Sequence, residues 1–191
     1  MLEYLRTSVG LSGCRRAAAR ALRRFARQQA GTSAVEFGLI AAPFLALVFA
    51  IMETAVIFFS GQALETAVAD SARLIMTGQA QNQALNQSTF KDAVCARIYG
   101  LFNCAGGIQV DVRTYTSFGS ITYTPPLDTN GNLVTSNFVY QPGGPGDIVV
   151  VRLYYAWPIY VSLMNLNRLA NMSGNNRLLV ATAAFRNEPY N

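Results

Sequence analysis

A glycine and a glutamate lie at the junction between an arginine-rich segment and a long apolar run. Gly31 precedes Thr32, and Glu36 follows five residues after the glycine, at the edge of the run. Glycine leaves an extended backbone accessible to a protease. A carboxylate costs about 2.5–3.5 kcal/mol at the centre of a membrane span, so a functional role is expected for it. If the chain is cut after Gly31, Thr32 gains a charged amine. Glu36 is then the natural partner of such an amine on an adjacent subunit, because ion pairing is stronger in a low dielectric.

The composition gives little support to an enzyme. The chain has no histidine, which removes the commonest general base at neutral pH and the commonest zinc ligand. No Ser/Lys or paired-carboxylate motif stands out. Asp128, Asn130 and Asn132 flank Gly131, but their spacing is too short for an EF-hand loop. We therefore expect no catalytic residue, no metal, no cofactor and no small-molecule substrate.

The positive charge is concentrated before the apolar run. Residues 1–30 hold seven arginines and one glutamate, a net +6, whereas residues 31–191 hold eight basic and nine acidic groups, a net −1. A basic arm could bind nucleic acid, but this one directly abuts the apolar run. We therefore expect no nucleic-acid partner. Basic residues beside a span mark its cytoplasmic end, and six arginines are assigned this topological role: Arg15, Arg16, Arg20, Arg23, Arg24 and Arg27.

The apolar run, residues 34–59, is long enough to cross a hydrocarbon core of about 30 Å. It predicts one span with the N-terminus in the cytoplasm. Pro43 removes a backbone hydrogen bond within the span and predicts a kink, which membrane helices tolerate. Residues 60–77 contain good helix formers and no proline. The sequence therefore predicts one continuous helix over residues 32–77, ending at Gly78.

A second acid, Glu53, lies about five turns beyond Glu36 on this helix. Two interpretations stay open. Glu53 either lies near the outer membrane interface and reaches water, or it makes an intersubunit contact in a helix bundle.

The remaining residues predict a small α+β head with a second helix and an antiparallel sheet. The helix is expected to begin at Thr89, where Thr89 and Asp92 resemble a capping box, and to end near Phe102. The period-two pattern of residues 108–113 predicts one strand. Two more strands are predicted over residues 147–157 and 178–186. Residues 122–140 predict a loop or hairpin with an Asn130-Gly131 turn. Residues 159–172 are ambiguous, with a short helix as one option.

Two cysteines follow the apolar run and would lie in an oxidising compartment if that run spans a membrane. Cys95 and Cys104 enclose eight residues, and our interpretation is a short disulfide. The alternative is two reduced, buried thiols. Cys14 precedes the run, and its role stays open.

The chain from Gly31 to Arg73 resembles the prepilin cleavage pattern and, more closely, the TadE-like pseudopilins (minor pilins) of the tight-adherence, or Flp-type (type IVb), pilus system. The shared features in this segment are Gly31, Val35-Glu36-Phe37, Pro43, Glu53 and the alanine-rich stretch ending Asp70-Ser71-Ala72-Arg73. The head is similar in its cysteine pair, in the strand led by Gly146-Asp147, and in the ending from Phe185 to Tyr190. Phe37 is a departure, since the related pattern often carries tyrosine there.

The resemblance implies processing between Gly31 and Thr32 by a prepilin peptidase, and a minor pilin-like role in pilus assembly for adhesion or secretion. Glu36, Phe37 and Glu53 would act in assembly. The implied partners are the peptidase, other pilin-like subunits and inner-membrane lipid. Three segments are expected: a cytoplasmic leader (1–31), a transmembrane and extended helix (32–78), and a periplasmic head (79–191). The alternative is an uncleaved, membrane-anchored periplasmic scaffold of the pilus or secretion machine.

Overall fold

The structure is a computed structural model that describes residues 31–98, 100, 102–160 and 169–190. The leader arginines, Cys14 and most of the ambiguous segment 159–172 lie outside the described residues. The chain forms two units, one ending at Leu47 and the other beginning at Val48.

The longest element is helix α1, Thr32–Met76, which continues through Pro43. Among the described residues it is the one helix long and apolar enough to cross a membrane, with a mean hydropathy of 2.3 in its most apolar part. In the unit that ends at Leu47, its large apolar side chains are exposed: Val35, Phe37, Leu39, Ile40, Phe44, Leu45 and Leu47. The prediction of a long apolar helix at this position is confirmed.

The helix ends at Met76, one residue before the predicted end. Gly78 has a left-handed φ of 78°, which glycine adopts without steric cost, and its N–H donates to the carbonyl of Ile75 at 3.1 Å. A side chain at this position would overlap the ring of Tyr190. Both constraints favour glycine at residue 78.

The second unit uses one side of α1 as part of its core. The buried positions recur every three or four residues, as expected for one helix face: Glu53, Ile57, Ser60, Leu64, Ala67, Val68, Ser71, Ala72 and Ile75. We call these residues the buried stripe. The exposed side is apolar as far as Phe58 and Phe59 and becomes polar from Gln62, with Glu65 and Asp70 beyond.

Three short helices follow: α2 (Gln79–Asn82), α3 (Gln87–Cys95) and α4 (Cys104–Gly107). The predicted start of α3 was wrong. Asn86 is its N-cap and forms a reciprocal capping box with Thr89, because an asparagine oxygen caps a helix as well as any side chain. The predicted end near Phe102 was also wrong, since α3 ends at Cys95 and gives way to turn-type bonds such as that from Arg97 N–H to the carbonyl of Val94.

The sheet contains β1 (Ile108–Tyr115), β2 (Ile148–Pro158) and β3 (Asn176–Arg186), in the order β1-β2-β3 with antiparallel pairing. In the register, Val112 lies opposite Val151, and Val151 lies opposite Ala183. Val112 and Val151 belong to the same apolar core as Leu64 and Ile75 of the buried stripe, and Ala183 packs against it. The opposite face of the sheet carries Asp111, Arg113, Arg152 and Tyr154. The predicted α+β class and antiparallel sheet are confirmed.

The long connection between β1 and β2 contains the predicted Asn130-Gly131 turn. The Asp128 carboxylate accepts the N–H groups of Asn130 and Asn132 at 2.9 and 2.7 Å, and Gly131 has φ 77°. Hydrogen bonds from Asn132 hold the pKa of the Asp128 carboxyl below its usual range. The aspartate is therefore engaged as a turn acceptor by the chain itself.

Candidate assembly sites

The first candidate site is the N-terminal end of α1. Gly31 is in open space, where an added Cβ would meet no atom within 4 Å. Thr32 is the first residue of α1, and Glu36 is exposed, as is Phe37, with 74% of its surface accessible. The unit that ends at Leu47 thus presents the junction residues on its surface, where another protein can reach them. Cleavage and the assembly roles of these residues stay predictions.

The second candidate site is Glu53, the first residue of the buried stripe. Glu53 is only 9% exposed, and its Oε1 accepts the backbone N–H of Tyr160 at 2.5 Å. Tyr160 follows the end of β2. The neighbouring Ile159 is bonded twice to Asn175, through its N–H at 3.1 Å and its carbonyl at 2.8 Å. The hydrogen bond therefore joins α1 to a segment of the head that is itself held by two further hydrogen bonds.

This contact adds an intramolecular role to the two interpretations that the sequence left open for Glu53. The donor is a backbone N–H group 107 residues away. Because nearly every residue carries such a group, the sequence does not show which one contacts Glu53. A buried carboxylate is stabilised by such a charge-assisted hydrogen bond.

Replacing Glu53 with leucine should lower the free energy of unfolding of the head by about 1.5–3 kcal/mol, the contribution of a hydrogen bond to a charged group. Glu53→Gln keeps a carbonyl oxygen for Tyr160 and should lose less. Fluorescence of Trp157, the one tryptophan of the chain, would follow chemical unfolding. A leucine variant as stable as the parent would show that the contact contributes nothing.

A disulfide joins Cys95, the last residue of α3, to Cys104, the first of α4, with their Cα atoms 5.7 Å apart. The predicted bridge is confirmed. It closes the segment that carries Phe102, whose ring meets Tyr155 edge-on at 4.9 Å and Trp157 at 5.8 Å. The bridge therefore holds an aromatic side chain in the core.

The double variant with serine at residues 95 and 104 should lose about 2–3 kcal/mol of stability, because the unfolded chain regains the entropy of a short closed loop. Its unfolding midpoint should fall to that of the reduced parent. In the native chain, maleimide should label these two cysteines only after reduction and unfolding. Labelling without reductant would mean that the bridge is absent.

A third group of residues was missed by sequence reasoning. The period-two pattern of residues 108–113 is typical of a strand whose polar side faces solvent, yet Asp111 is 3% exposed and Arg152 of β2 is 6% exposed. The cause is the connection between β1 and β2. It lies over this face of the sheet and donates the N–H of Val139 to Asp111 at 3.0 Å.

The polar face is organised around one ion pair. Arg113 Nε donates to both carboxylate oxygens of Asp111, at 2.8 and 3.1 Å, and this bond raises the pKa of the Arg113 guanidinium above its ordinary value. Tyr154 stacks on Phe138 with ring centres 5.0 Å apart. Burial raises the pKa of the Tyr154 phenol to about 12. Its hydroxyl therefore stays neutral at ordinary pH.

Comparison with known families supports the resemblance in α1. Residues 31–73 match the family model described as TadE-like protein. The matched segment contains Gly31, Glu36, Pro43 and Glu53 and ends within α1, so the predicted resemblance is confirmed there. No curated protein and no solved structure matches the chain.

The match indicates a protein associated with the tight-adherence (Tad) pilus. Members of this family are structural, and the family indicates interaction with other pilus subunits. The family match and the apolar helix near the N-terminus together fit a membrane-anchored protein.

Proposed function

We propose that this protein is a minor pilin-like structural subunit for assembly of a tight-adherence pilus. The observation that carries the proposal is the division of α1 into two parts. As far as Leu47 the helix exposes apolar side chains beside Gly31 and Glu36, and from Glu53 onward it is built into the core of the head. A pilin-like subunit needs both an assembling helix and an attached head.

The proposed topology places the arginine-rich leader in the cytoplasm and the head in the periplasm. The arginines flank the apolar run on its N-terminal side, as the positive-inside rule requires. On the exposed side of α1, the change from Phe59 to Gln62 supports an outer boundary for the apolar segment near this point. The disulfide is consistent with an oxidising compartment for the head.

The proposed mechanism begins with removal of the leader. Cleavage after Gly31 by the prepilin peptidase discards the net +6 segment and gives Thr32 a positive amine. The helix is then drawn from the membrane into a bundle, where Glu36 pairs with the amine of a neighbouring subunit. Phe37 and the other exposed apolar side chains contact adjacent helices. Gly31 is thus part of a substrate for proteolysis.

The test is mass spectrometry of the mature N-terminus in cells with and without the prepilin peptidase. We expect a chain beginning at Thr32 in the first case and the full leader in the second. Gly31→Leu should block processing. The matched control is Gly38→Leu, since Gly38 also lies in open space, and it should be processed normally.

Retention of residues 1–31 in cells that contain the peptidase would overturn the proposal. If such a protein also resisted alkaline extraction and was absent from sheared pili, it would be the uncleaved periplasmic scaffold named as the alternative.

A further inference from the structure

Arg152 is a buried cation that forms no ion pair with a carboxylate of the described residues. It lies in the middle strand of the sheet, opposite Asp111 of β1 and Thr182 of β3. Asp111 is already engaged by Arg113 and by the N–H of Val139. Asp111 is ion-paired with Arg113, and among the described residues no ion pair involves Arg152, so its charge is not neutralised by that pair.

The guanidinium of Arg152 is also short of hydrogen-bond acceptors. One of its Nη2 hydrogens donates to the carbonyl of Thr122 at 2.8 Å, and its Cζ lies 5.6 Å from the ring centre of Tyr123. Its Nε is buried and has no hydrogen-bond partner among the described residues. Buried polar groups are normally paired, and an ionised donor gains most from an ionised acceptor.

Arg152 lines a cavity of about 800 Å³ on this face of the sheet. The other walls are formed by Tyr115, Thr122, residues 124–127, Val134, residues 136–139, Tyr154 and the Asp111–Arg113 pair. The charges of Asp111 and Arg113 cancel, and the lining contains no other charged residue, so Arg152 leaves the cavity with a net charge of +1. The cavity therefore favours an anion.

The wall next to Arg152 has a main chain that can bind a peptide. The N–H groups of Thr122, Tyr123 and Thr124 donate to no atom of the described residues. All three residues are exposed, and Pro125 and Pro126 stiffen the segment that follows. Unpaired N–H groups of an exposed segment can pair with the main chain of a peptide, as those of a sheet edge do.

We propose that this cavity binds an extended peptide segment bearing a carboxylate, supplied by a partner protein. The carboxylate accepts hydrogen bonds from the guanidinium of Arg152, and the peptide main chain pairs with Thr122 and Thr124, which line the cavity. The site goes beyond the proposed function and does not depend on cleavage after Gly31.

The experiment is calorimetric titration of the full chain in detergent micelles with two capped octapeptides. One alternates alanine with glutamate and the other alternates alanine with glutamine. We expect the glutamate peptide to bind at least about tenfold more tightly, as for loss of one partner of a desolvated charged pair. Arg152→Gln should remove this preference. Arg73→Gln, which removes the same charge from an exposed position on α1, should keep it.

A second variant tests the site without altering Arg152. Ser136 is exposed at the cavity wall, and Ser136→Trp should fill the cavity, abolish peptide binding and leave the circular dichroism spectrum unchanged. Equal affinity for the two peptides, equal loss in Arg73→Gln and Arg152→Gln, or unchanged binding in a folded Ser136→Trp would each overturn the proposal. Polygalacturonate, which carries carboxylates but no peptide main chain, should bind more weakly. Binding as tight as that of the peptide would overturn the assignment to a peptide.

Discussion

Replacing Phe90 with alanine should lower the free energy of unfolding of the head by about 3–5 kcal/mol, the usual cost of removing a buried phenylalanine ring. Phe90 is fully buried and its ring lies 5.5 Å from that of Tyr140. Tyr140 belongs to the segment that pairs beside β1, where the N–H of Gln141 donates to Val112 at 2.9 Å. The vacancy would therefore loosen both α3 and this segment.

Chemical unfolding followed by Trp157 fluorescence would measure the loss. Phe118→Ala is the matched control, because Phe118 is 55% exposed and its removal should change stability by less than about 0.5 kcal/mol. Similar losses for the two variants would contradict the packing described for α3. A domain of this size is stable by only about 5–15 kcal/mol, so Phe90→Ala is expected to lower the amount of folded protein in cells.

Replacing Glu36 with glutamine should reduce the amount of this subunit in sheared pili by at least about tenfold. In the proposed bundle the neutral amide cannot neutralise the Thr32 amine of a neighbour, and an unpaired charge in a low dielectric is strongly unfavourable. Quantitative mass spectrometry of sheared pili, normalised to the subunit in membranes, would give the ratio. The N-terminus of the variant should still begin at Thr32.

Glu65→Gln supplies the control for this prediction. Glu65 is an exposed acid on the polar part of α1, so its replacement removes the same charge outside the apolar segment and should leave incorporation unchanged. Normal incorporation of the Glu36→Gln subunit would show that this pairing does not drive assembly. A Glu36→Gln chain that begins at Thr32 would show that the processing step does not need this carboxylate.

Much of the fold follows from local patterns in the sequence. The apolar run and the helix formers after it predict α1, and the left-handed glycine at residue 78 ends it. Alternating side chains predict β1, and residues 147–157 and 178–186 predict the other two strands. These features depend on neighbours in the chain, which is why sequence reasoning recovers them.

The contacts of the candidate sites depend on partners that are distant in sequence. The acceptor role of Glu53 needs the backbone of Tyr160, and the burial of Arg152 needs the connection between β1 and β2 to lie over the sheet. The start of α3 was misplaced for a local reason, since Asn86, Ser88 and Thr89 are all able to cap a helix. Pattern alone cannot choose between such candidates.

The buried stripe of α1 is hydrogen-bonded to the head at both of its ends. At its first end, the Glu53 carboxylate accepts the N–H of Tyr160. Just past its last residue, the carbonyl of Met76 accepts the N–H of Glu188 at 2.9 Å. Tension applied along α1 would load the stripe in shear, so its contacts would have to break together instead of peeling apart in turn. A force that pulls on the helix would thus carry the head with it in its folded state.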